Sequence, residues 1–164
     1  MIFLTVGTYP IPFDRLVKAI DTVAMERLVE EKIFAQIGLC EYQPQNIEYV
    51  EILEKGDFDS YFRKATSIIS HAGIGTITMA LDFNKPLLVM PRRKHLKEHV
   101  NDHQVATARK FEELGHILVA YETEELPVKI EELKSFVPRK REAQPHAVAE
   151  RIARFLNELA NNGK

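Results

Sequence analysis

Short apolar runs alternate with longer segments in which apolar residues recur at helical spacing along most of the chain. The short runs predict buried strands, and the longer segments predict helices with one face against a core. This alternation is typical of an α/β protein with a mostly parallel sheet and helices on both faces. The predicted strands are Ile2–Val6, Ile33–Ile37, Ile47–Leu53, Thr66–Ser70, Pro86–Met90 and Ile117–Ala120.

Six helices are predicted between and after these strands. Asp57 is the expected N-cap of the second helix, and Gly115 is the expected C′ residue of the fourth. The last helix carries an apolar stripe of Phe155, Leu156 and Leu159, which packs either on the chain's own sheet or on a partner. The predicted helices are Phe13–Glu31, Asp57–Ala65, Gly75–Phe83, Glu98–Leu114, Glu122–Leu133 and Gln144–Leu159.

The composition is that of a globular protein, and 164 residues without a long linker predict one domain over residues 1–164. A net charge of −2 argues against a nucleic-acid partner and against strong binding to anionic membranes. The single cysteine, Cys40, excludes an internal disulfide or a zinc site built on several thiolates, and it fits a reducing compartment. The apolar start, Met1–Gly7, is too short to span a membrane and has no signal-peptide features.

The segment Ser70-His71-Ala72-Gly73-Ile74-Gly75-Thr76 joins a buried strand to a helix through two glycines. A helix N-terminus offers free N–H groups and partial positive charge, so this geometry favours a phosphate, and the hydroxyls of Ser70 and Thr76 could add donors. His71 falls at the carboxyl end of the strand, where open α/β sheets bind ligands. A tight turn without a ligand is the alternative. The third glycine of the dinucleotide fingerprint and the Gly-Lys-Ser/Thr of a P-loop are both missing, which argues against an oxidoreductase or a kinase.

A second polar cluster follows the fifth predicted strand. Asn101, Asp102, His103 and Gln104 open a helix, where they either bind sugar hydroxyls or cap the helix. The basic run Arg92-Arg93-Lys94 before them is interpreted first as solvent-exposed, with a phosphate as the alternative. His95, His99 and His103 have helical spacing, but the loop character before Glu98 and the missing HExxH pattern argue against zinc.

Four motifs in this order resemble the C-terminal, donor-binding half of the family-28 glycosyltransferases, especially small subunits of split enzymes. The chain is similar to the catalytic subunit of the dolichol-linked UDP-N-acetylglucosamine transferase, and it more nearly resembles the small subunit of bacterial exopolysaccharide or capsule glycosyltransferases, which Glu98-His99 favours. It covers nearly the whole chain. The motifs are Thr5-Val6-Gly7-Thr8 with Phe13-Asp14-Arg15-Leu16, Ser70-His71-Ala72-Gly73-Ile74-Gly75, Lys85-Pro86-Leu87-Leu88-Val89-Met90-Pro91, and Asn101-Asp102-His103-Gln104.

The resemblance implies one Rossmann-like half of a GT-B fold and a set of binding residues. Gly73, Gly75 and Thr76 would hold the diphosphate of a UDP-sugar, and Gln104 with His103 would face the sugar. The loop Leu53–Phe58 would border the uracil, while Gly7 and Thr8 would line the cleft on the acceptor side. Many family members carry a Glu that accepts the ribose hydroxyl protons where this chain has Met79; Asp82, one turn on, is a possible substitute.

The resemblance also implies a partner. A second, membrane-anchored polypeptide would bind the acceptor and recruit this cytoplasmic chain to the inner face of the membrane. The pair would transfer a hexose, with inversion, from a UDP-sugar to a lipid-diphosphate-linked saccharide in exopolysaccharide or capsule synthesis. This chain alone would be inactive. His71 is the candidate base, although the partner could supply it, and no metal or cofactor is expected. A non-catalytic nucleotide-sugar-binding module is the alternative function, which Met79 favours.

Overall fold

The computed structural model describes residues 1–140, and within them the chain forms a six-stranded sheet with five α-helices. The strands are Ile2–Thr5 (β1), Ile33–Gln36 (β2), Glu48–Val50 (β3), Ser67–His71 (β4), Leu87–Met90 (β5) and Leu118–Val119 (β6). The helices are Asp14–Met25 (α1), Lys55–Lys64 (α2), Ile74–Asp82 (α3), His103–Glu113 (α4) and Leu126–Ser135 (α5), and a 3₁₀ turn, Thr123–Glu125, precedes the last helix. The predicted terminal helix, Gln144–Leu159, lies outside the described residues.

All adjacent strands are parallel, in the order β3-β2-β1-β4-β5-β6. The chain starts at the centre of the sheet, builds outward to β3, and then returns to build the other half from β4. The switch point therefore lies between β1 and β4, where Thr5 is paired with Gln36 on one side and with Ser70 on the other. Open α/β sheets bind ligands outside the carboxyl ends of the strands at such a point.

Both faces of the sheet are buried, as the apolar strands predict. Alternate residues of β1 show the division: Leu4 faces one layer and Phe3 the other. The first layer contains α1 and α5, and the second contains α2, α3 and α4. The fold is therefore the predicted Rossmann-like α/β sheet with helices on both faces.

Helix α1 ends at Met25, six residues before the predicted end at Glu31. Arg27 adopts a left-handed backbone with φ of 56°, and the N–H of Leu28 donates to the carbonyl of Val23. This is the Schellman arrangement, which ends a helix. Leu28, predicted on the buried stripe, is consequently 46% exposed. This helix end was not predicted, because glycine usually takes the left-handed position and residue 27 is an arginine.

Two predicted helix starts are also wrong. Helix α4 begins at His103 rather than Glu98, because the Glu98 carboxylate turns back to accept hydrogen bonds from Arg15 and from the N–H of Arg93. Helix α2 begins at Lys55, so Asp57 lies in its first turn and is not the N-cap. At the other end of α4 the prediction is confirmed: Gly115 has φ of 71° and its N–H donates to Glu112. Among residues 1–140, no helix combines the length and apolar character needed to cross a membrane.

Candidate functional site

A cavity of about 500 Å³ opens at the carboxyl ends of β1, β2 and β4. Its position is the switch point of the sheet, and its volume is within the range of small-molecule sites. Nine lining residues come from the β1 and β4 ends, from β2 and from the first turns of α3; four more belong to the β3–α2 loop and α2. The lining is Thr5, Gly7, Thr8, Gln36, Leu53, Lys55, Phe58, Asp59, His71, Gly73, Gly75, Thr76 and Met79.

One end of the cavity is formed by the start of α3. Gly73 is its N-cap and has no side chain to satisfy the first N–H groups, so those of the first turn remain free for a ligand. Gly73 also lies against the His71 ring: a Cβ built at Gly73 would be 2.2 Å from His71 Nε2. The glycine is therefore required by close approach to the ring. Together with Gly75 and Thr76 it makes a site suited to an anion.

The His71 ring is held between Gly7 and Gly73, and Ser70 fixes its orientation. The Ser70 hydroxyl donates to the carbonyl of Thr5, and its oxygen lies 3.1 Å from His71 Nδ1. Since the hydroxyl proton is already directed to Thr5, we assign the ring proton to Nδ1, which leaves the Nε2 lone pair on the glycine side. Ser70 is fully buried, so it supports the ring and does not line the cavity.

Burial, reinforced by the positive charges of Arg92 and His99, lowers the pKa of His71 to about 4. The ring is therefore neutral at pH 7 and can accept a proton at Nε2. A base with such a low pKa is weak. An anion bound at the start of α3 would raise the pKa, because it favours the charged imidazolium. Binding of an anion at this site would therefore make His71 a stronger base.

Gln36 and Thr5 form the floor of the cavity, and the sequence prediction missed both. The buried Gln36 amide accepts from the N–H of Leu53 and donates to Thr5 Oγ1, 3.4 Å away. Thr5 Oγ1 in turn accepts from the N–H of Gly7. Gln36 therefore ties the β3–α2 loop to the sheet. The available signal was a polar residue at the end of each of two neighbouring apolar strands. The carboxyl ends of parallel strands lie at the same edge of a sheet, so two such residues are expected to lie close together.

The opposite wall is apolar, with an ion pair at its edge. Leu53 and Phe58 belong to the loop and helix start that were predicted to border a base, and Met79 of α3 also lines the cavity. Lys55 and Asp59 lie on the first turns of α2, with Lys55 Nζ 3.0 Å from Asp59 Oδ2. Lys55 falls within the predicted range Leu53–Phe58, whereas Asp59 was not predicted.

Asn101, Asp102, His103 and Gln104 are not among the residues that line the cavity. Gln104 is buried and its Oε1 accepts from the N–H of Arg92. The Asp102 carboxylate accepts from the N–H of Lys94, and the side-chain Oδ1 of Asn101 accepts from the N–H of His103. These contacts order the β5–α4 loop and the start of α4, where Asp102 is the N-cap residue but makes no capping hydrogen bond with its side chain.

Contacts between aromatic rings join this cluster to the loop that follows β1. His99 stacks on Tyr9 with centroids 4.5 Å apart, and His103 meets His99 edge-on. Tyr9 directly follows Gly7 and Thr8, which line the cavity. The structure therefore gathers Gly7, Thr8, His71, Gly73, Gly75 and Thr76 in one site and places the Asn101–Gln104 segment on the neighbouring loop.

The interpretation of Arg92 as part of a solvent-exposed basic run is wrong. Its side chain is fully buried and donates to four backbone carbonyls, those of Val6, Ile11, Pro12 and Glu98. Carbonyls in irregular loops need donors when they are buried, and a guanidinium supplies five. Arg93 is also largely covered, with an ion pair to Glu122; within the run, Lys94 alone is exposed. Arg92 thus joins the loop after β1 to the loop after β5.

The family described as "Glycosyltransferase family 28 C-terminal domain" matches residues 1–159. The UDP-N-acetylglucosamine transferase subunit ALG13 of Candida albicans is 30% identical over 81 residues, which are 49% of this chain and 26% of the relative. The human protein of the same name is 28% identical over 125 residues, 71% of this chain and 10% of the relative. This chain therefore spans about a quarter of one of these curated relatives and a tenth of the other.

Solved structures share the fold. A solution structure of ALG13 superposes with a TM-score of 0.60 at 18% identity, covering 92% of this chain and 93% of that one. The glycosyltransferase of kitacinnamycin superposes with a TM-score of 0.61 at 20% identity, covering 99% of this chain but 40% of that one. The second match confirms the predicted fold class, one Rossmann-like half of a GT-B enzyme.

Proposed function

The chain belongs to the family of glycosyltransferase family 28 C-terminal domains, and from that membership we propose that it is the UDP-sugar-binding subunit of a two-component inverting glycosyltransferase. The observation that carries the proposal is the cavity at the switch point, with an anion site at one end and an apolar wall at the other. A nucleoside diphosphate has the same two ends. This chain spans only 26% and 10% of the lengths of the two ALG13 relatives. The rest of the enzyme is therefore also part of the proposal.

The diphosphate would lie at the start of α3, where Gly73, Gly75 and Thr76 line the cavity. Free N–H groups and the helix dipole stabilise negative charge there, and that charge grows on the diphosphate as the bond to the sugar breaks. Leu53 and Phe58 give the uracil an apolar surface. This assignment uses no metal or cofactor, because the helix start and its donors carry the phosphate charge.

His71 is the residue we propose as the base. In an inverting transfer the acceptor hydroxyl oxygen forms a bond to the anomeric carbon as the bond to the diphosphate breaks, and the hydroxyl proton passes to a base. His71 Nε2 can take that proton, and the bound diphosphate would raise its pKa for the purpose. Gly7 and Thr8 would face the acceptor side of the same cavity.

The acceptor and its binding site would come from elsewhere. A GT-B site lies between two domains, and the Candida relative is named a transferase subunit. We therefore propose a membrane-anchored partner that binds a lipid-diphosphate-linked saccharide and holds this chain at the inner, cytoplasmic face of the membrane. The transferred group would be a hexose in exopolysaccharide or capsule synthesis. Asn101, Asp102, His103 and Gln104 stay candidates for the sugar, from the loop beside the cavity.

Titration of the isotope-labelled chain with UDP, followed by two-dimensional NMR, tests the donor site. We expect the amide signals of Gly73, Gly75 and Thr76 to shift together with that of Leu53, because these residues surround the two ends of the nucleotide. Uridine, which lacks the diphosphate, should move Leu53 far more than the α3 amides. An absence of shifts at millimolar UDP would refute the donor-binding function. A non-catalytic nucleotide-sugar-binding module, the alternative, would give the same shifts and must be separated by a transfer assay.

A further inference from the structure

The cavity leaves one part of a bound nucleotide without an assigned partner. If the diphosphate lies at the α3 start and the base against Leu53 and Phe58, the ribose lies between them. Its two neighbouring hydroxyls are hydrogen-bond donors, and burying them without an acceptor is unfavourable. An ionised carboxylate is the strongest side-chain acceptor and can serve both hydroxyls.

Among the described residues that line the cavity, Asp59 carries the one carboxylate. It follows Phe58 on α2, so it adjoins the apolar wall proposed for the base. Its side chain is 34% exposed, and its recorded partner within residues 1–140 is Lys55, at Oδ2. Lys55 is 88% exposed, so its ammonium stays largely in water while it neutralises the carboxylate. Oδ1 remains available to a ligand.

The two positions considered from the sequence do not supply this acceptor. Met79 lines the cavity, but a thioether sulfur accepts hydrogen bonds only weakly. Asp82 is exposed at the end of α3 and does not line the cavity. One turn of α3 carries it past the site, since residues three apart on a helix share a face but lie about 4.5 Å apart along the axis.

We propose that Asp59 binds the ribose hydroxyls of the nucleotide and makes the site specific for ribonucleotides, an inference that rests on the proposed UDP-sugar site. The carboxylate accepts from the hydroxyls, and Lys55 holds it in place from the solvent side. The residue is a specificity determinant for the donor and takes no part in the chemical step. The ribose is thus recognised from α2 and not from α3, the helix that carries Met79.

The test compares the affinities of the complete chain for UDP and for 2′-deoxy-UDP by calorimetry or NMR titration. The original chain should bind UDP about tenfold more tightly, the value of one hydrogen bond to a charged group. Asp59→Ala should weaken UDP binding by about that factor and bring the ratio of the two affinities close to one. Asp82→Ala and Asp57→Ala, which remove carboxylates outside the cavity lining, should leave the ratio unchanged.

The outcomes separate this inference from the donor site itself. If UDP binds and the Asp59→Ala variant keeps the original ratio, Asp59 does not read the ribose, although the donor site stands. If Asp82→Ala abolishes the preference instead, the acceptor is on α3. If the unchanged chain binds neither nucleotide, the donor site is refuted first. The readout is the ratio of the UDP and 2′-deoxy-UDP affinities, both measured on the same variant. Partial unfolding would weaken both affinities by the same factor, so it cannot bring this ratio close to one.

Discussion

Two glycines occupy the same position in two helices, and substitutions there can distinguish an effect on nucleotide affinity from an effect on stability. Gly75 is the second residue of α3 and lines the cavity, whereas Gly56 is the second residue of α2 and does not. A Cβ at either position would have no neighbouring atom within 4 Å. Alanine therefore fits both backbones, and it should raise the free energy of unfolding by about 0.5 kcal/mol in each case, because glycine is the poorer helix former.

The two substitutions should differ in nucleotide affinity. Gly75→Ala places a methyl group where the diphosphate would approach the α3 start, so UDP affinity should fall about tenfold or more. Gly56→Ala should leave it unchanged. Urea unfolding and UDP titration of both variants check the prediction. Equal UDP affinity in the two variants would mean that the diphosphate does not approach Gly75.

Residue identities in the site were predictable where the reason is backbone geometry. The strand–glycine–helix pattern predicted Gly73 in a tight turn, and the structure adds its close approach to the His71 ring. The role of Ser70 was not predictable, because a hydroxyl next to a phosphate loop fits either a ligand or a neighbouring carbonyl, and only the pairing of β4 with β1 brings the Thr5 carbonyl into reach. Asp59 was missed because its relation to Met79 depends on how α2 and α3 pack.

At the scale of elements, Arg92 fastens two loops to each other. It connects the loop after β1, through Val6, Ile11 and Pro12, to the loop after β5, through Glu98. Glu98 is itself held by both nitrogens of an Arg15 fork from α1. The loop after β1 carries Gly7 and Thr8, which line the cavity, so this buried network fixes one rim of the cavity.

Replacement of Arg92 by lysine should destabilise the protein by about 2–4 kcal/mol. An ammonium group keeps the charge but cannot reach four carbonyls with fork geometry, and each buried carbonyl left without a donor costs about 1–3 kcal/mol. Lys94→Ala, two residues along on the exposed side of the same loop, should change stability by less than about 0.5 kcal/mol. Urea denaturation measures both. Similar unfolding free energies for the two variants would contradict the role assigned to Arg92.

Element types followed from the sequence, whereas several boundaries did not. Strands buried on both faces appear as continuous apolar runs, which is why β1, β2, β4, β5 and β6 were placed, whereas the edge strand β3 has no buried residue and was placed from the period-two alternation of Ile47–Leu53. Helix ends depend on single backbone conformations and side-chain contacts that no local pattern encodes. Arg27 ends α1 in a conformation typical of glycine, and Glu98 leaves the helical path for a contact with Arg15, 83 residues away in sequence.

At the scale of the whole molecule, the strand order decides which predicted residues meet. Because β1 and β4 are neighbours, Gly7 and Thr8 come beside His71 and Gly73 although 63 or more residues separate them in sequence. The Asn101–Gln104 segment follows β5, one strand farther from the switch point, and so it falls on the adjoining loop. The βα alternation is compatible with a few strand orders and does not choose among them. The sequence could therefore not place these residues without the family resemblance.

At the same scale, the proposed division of the enzyme between this chain and a partner leads to a prediction about activity. The purified chain should bind UDP but release no sugar from UDP-sugars, since in the proposed enzyme the partner supplies the acceptor and its binding site. Membranes from the source organism with this gene deleted should transfer radiolabelled sugar from a UDP-sugar into lipid extract only after the chain is added back. Gly56→Ala should restore transfer and Gly75→Ala should not, at equal amounts of folded protein. Restoration by both variants would show that the chain acts without holding the donor diphosphate, and failure by both, with the unchanged chain also inactive, would favour the non-catalytic binding module.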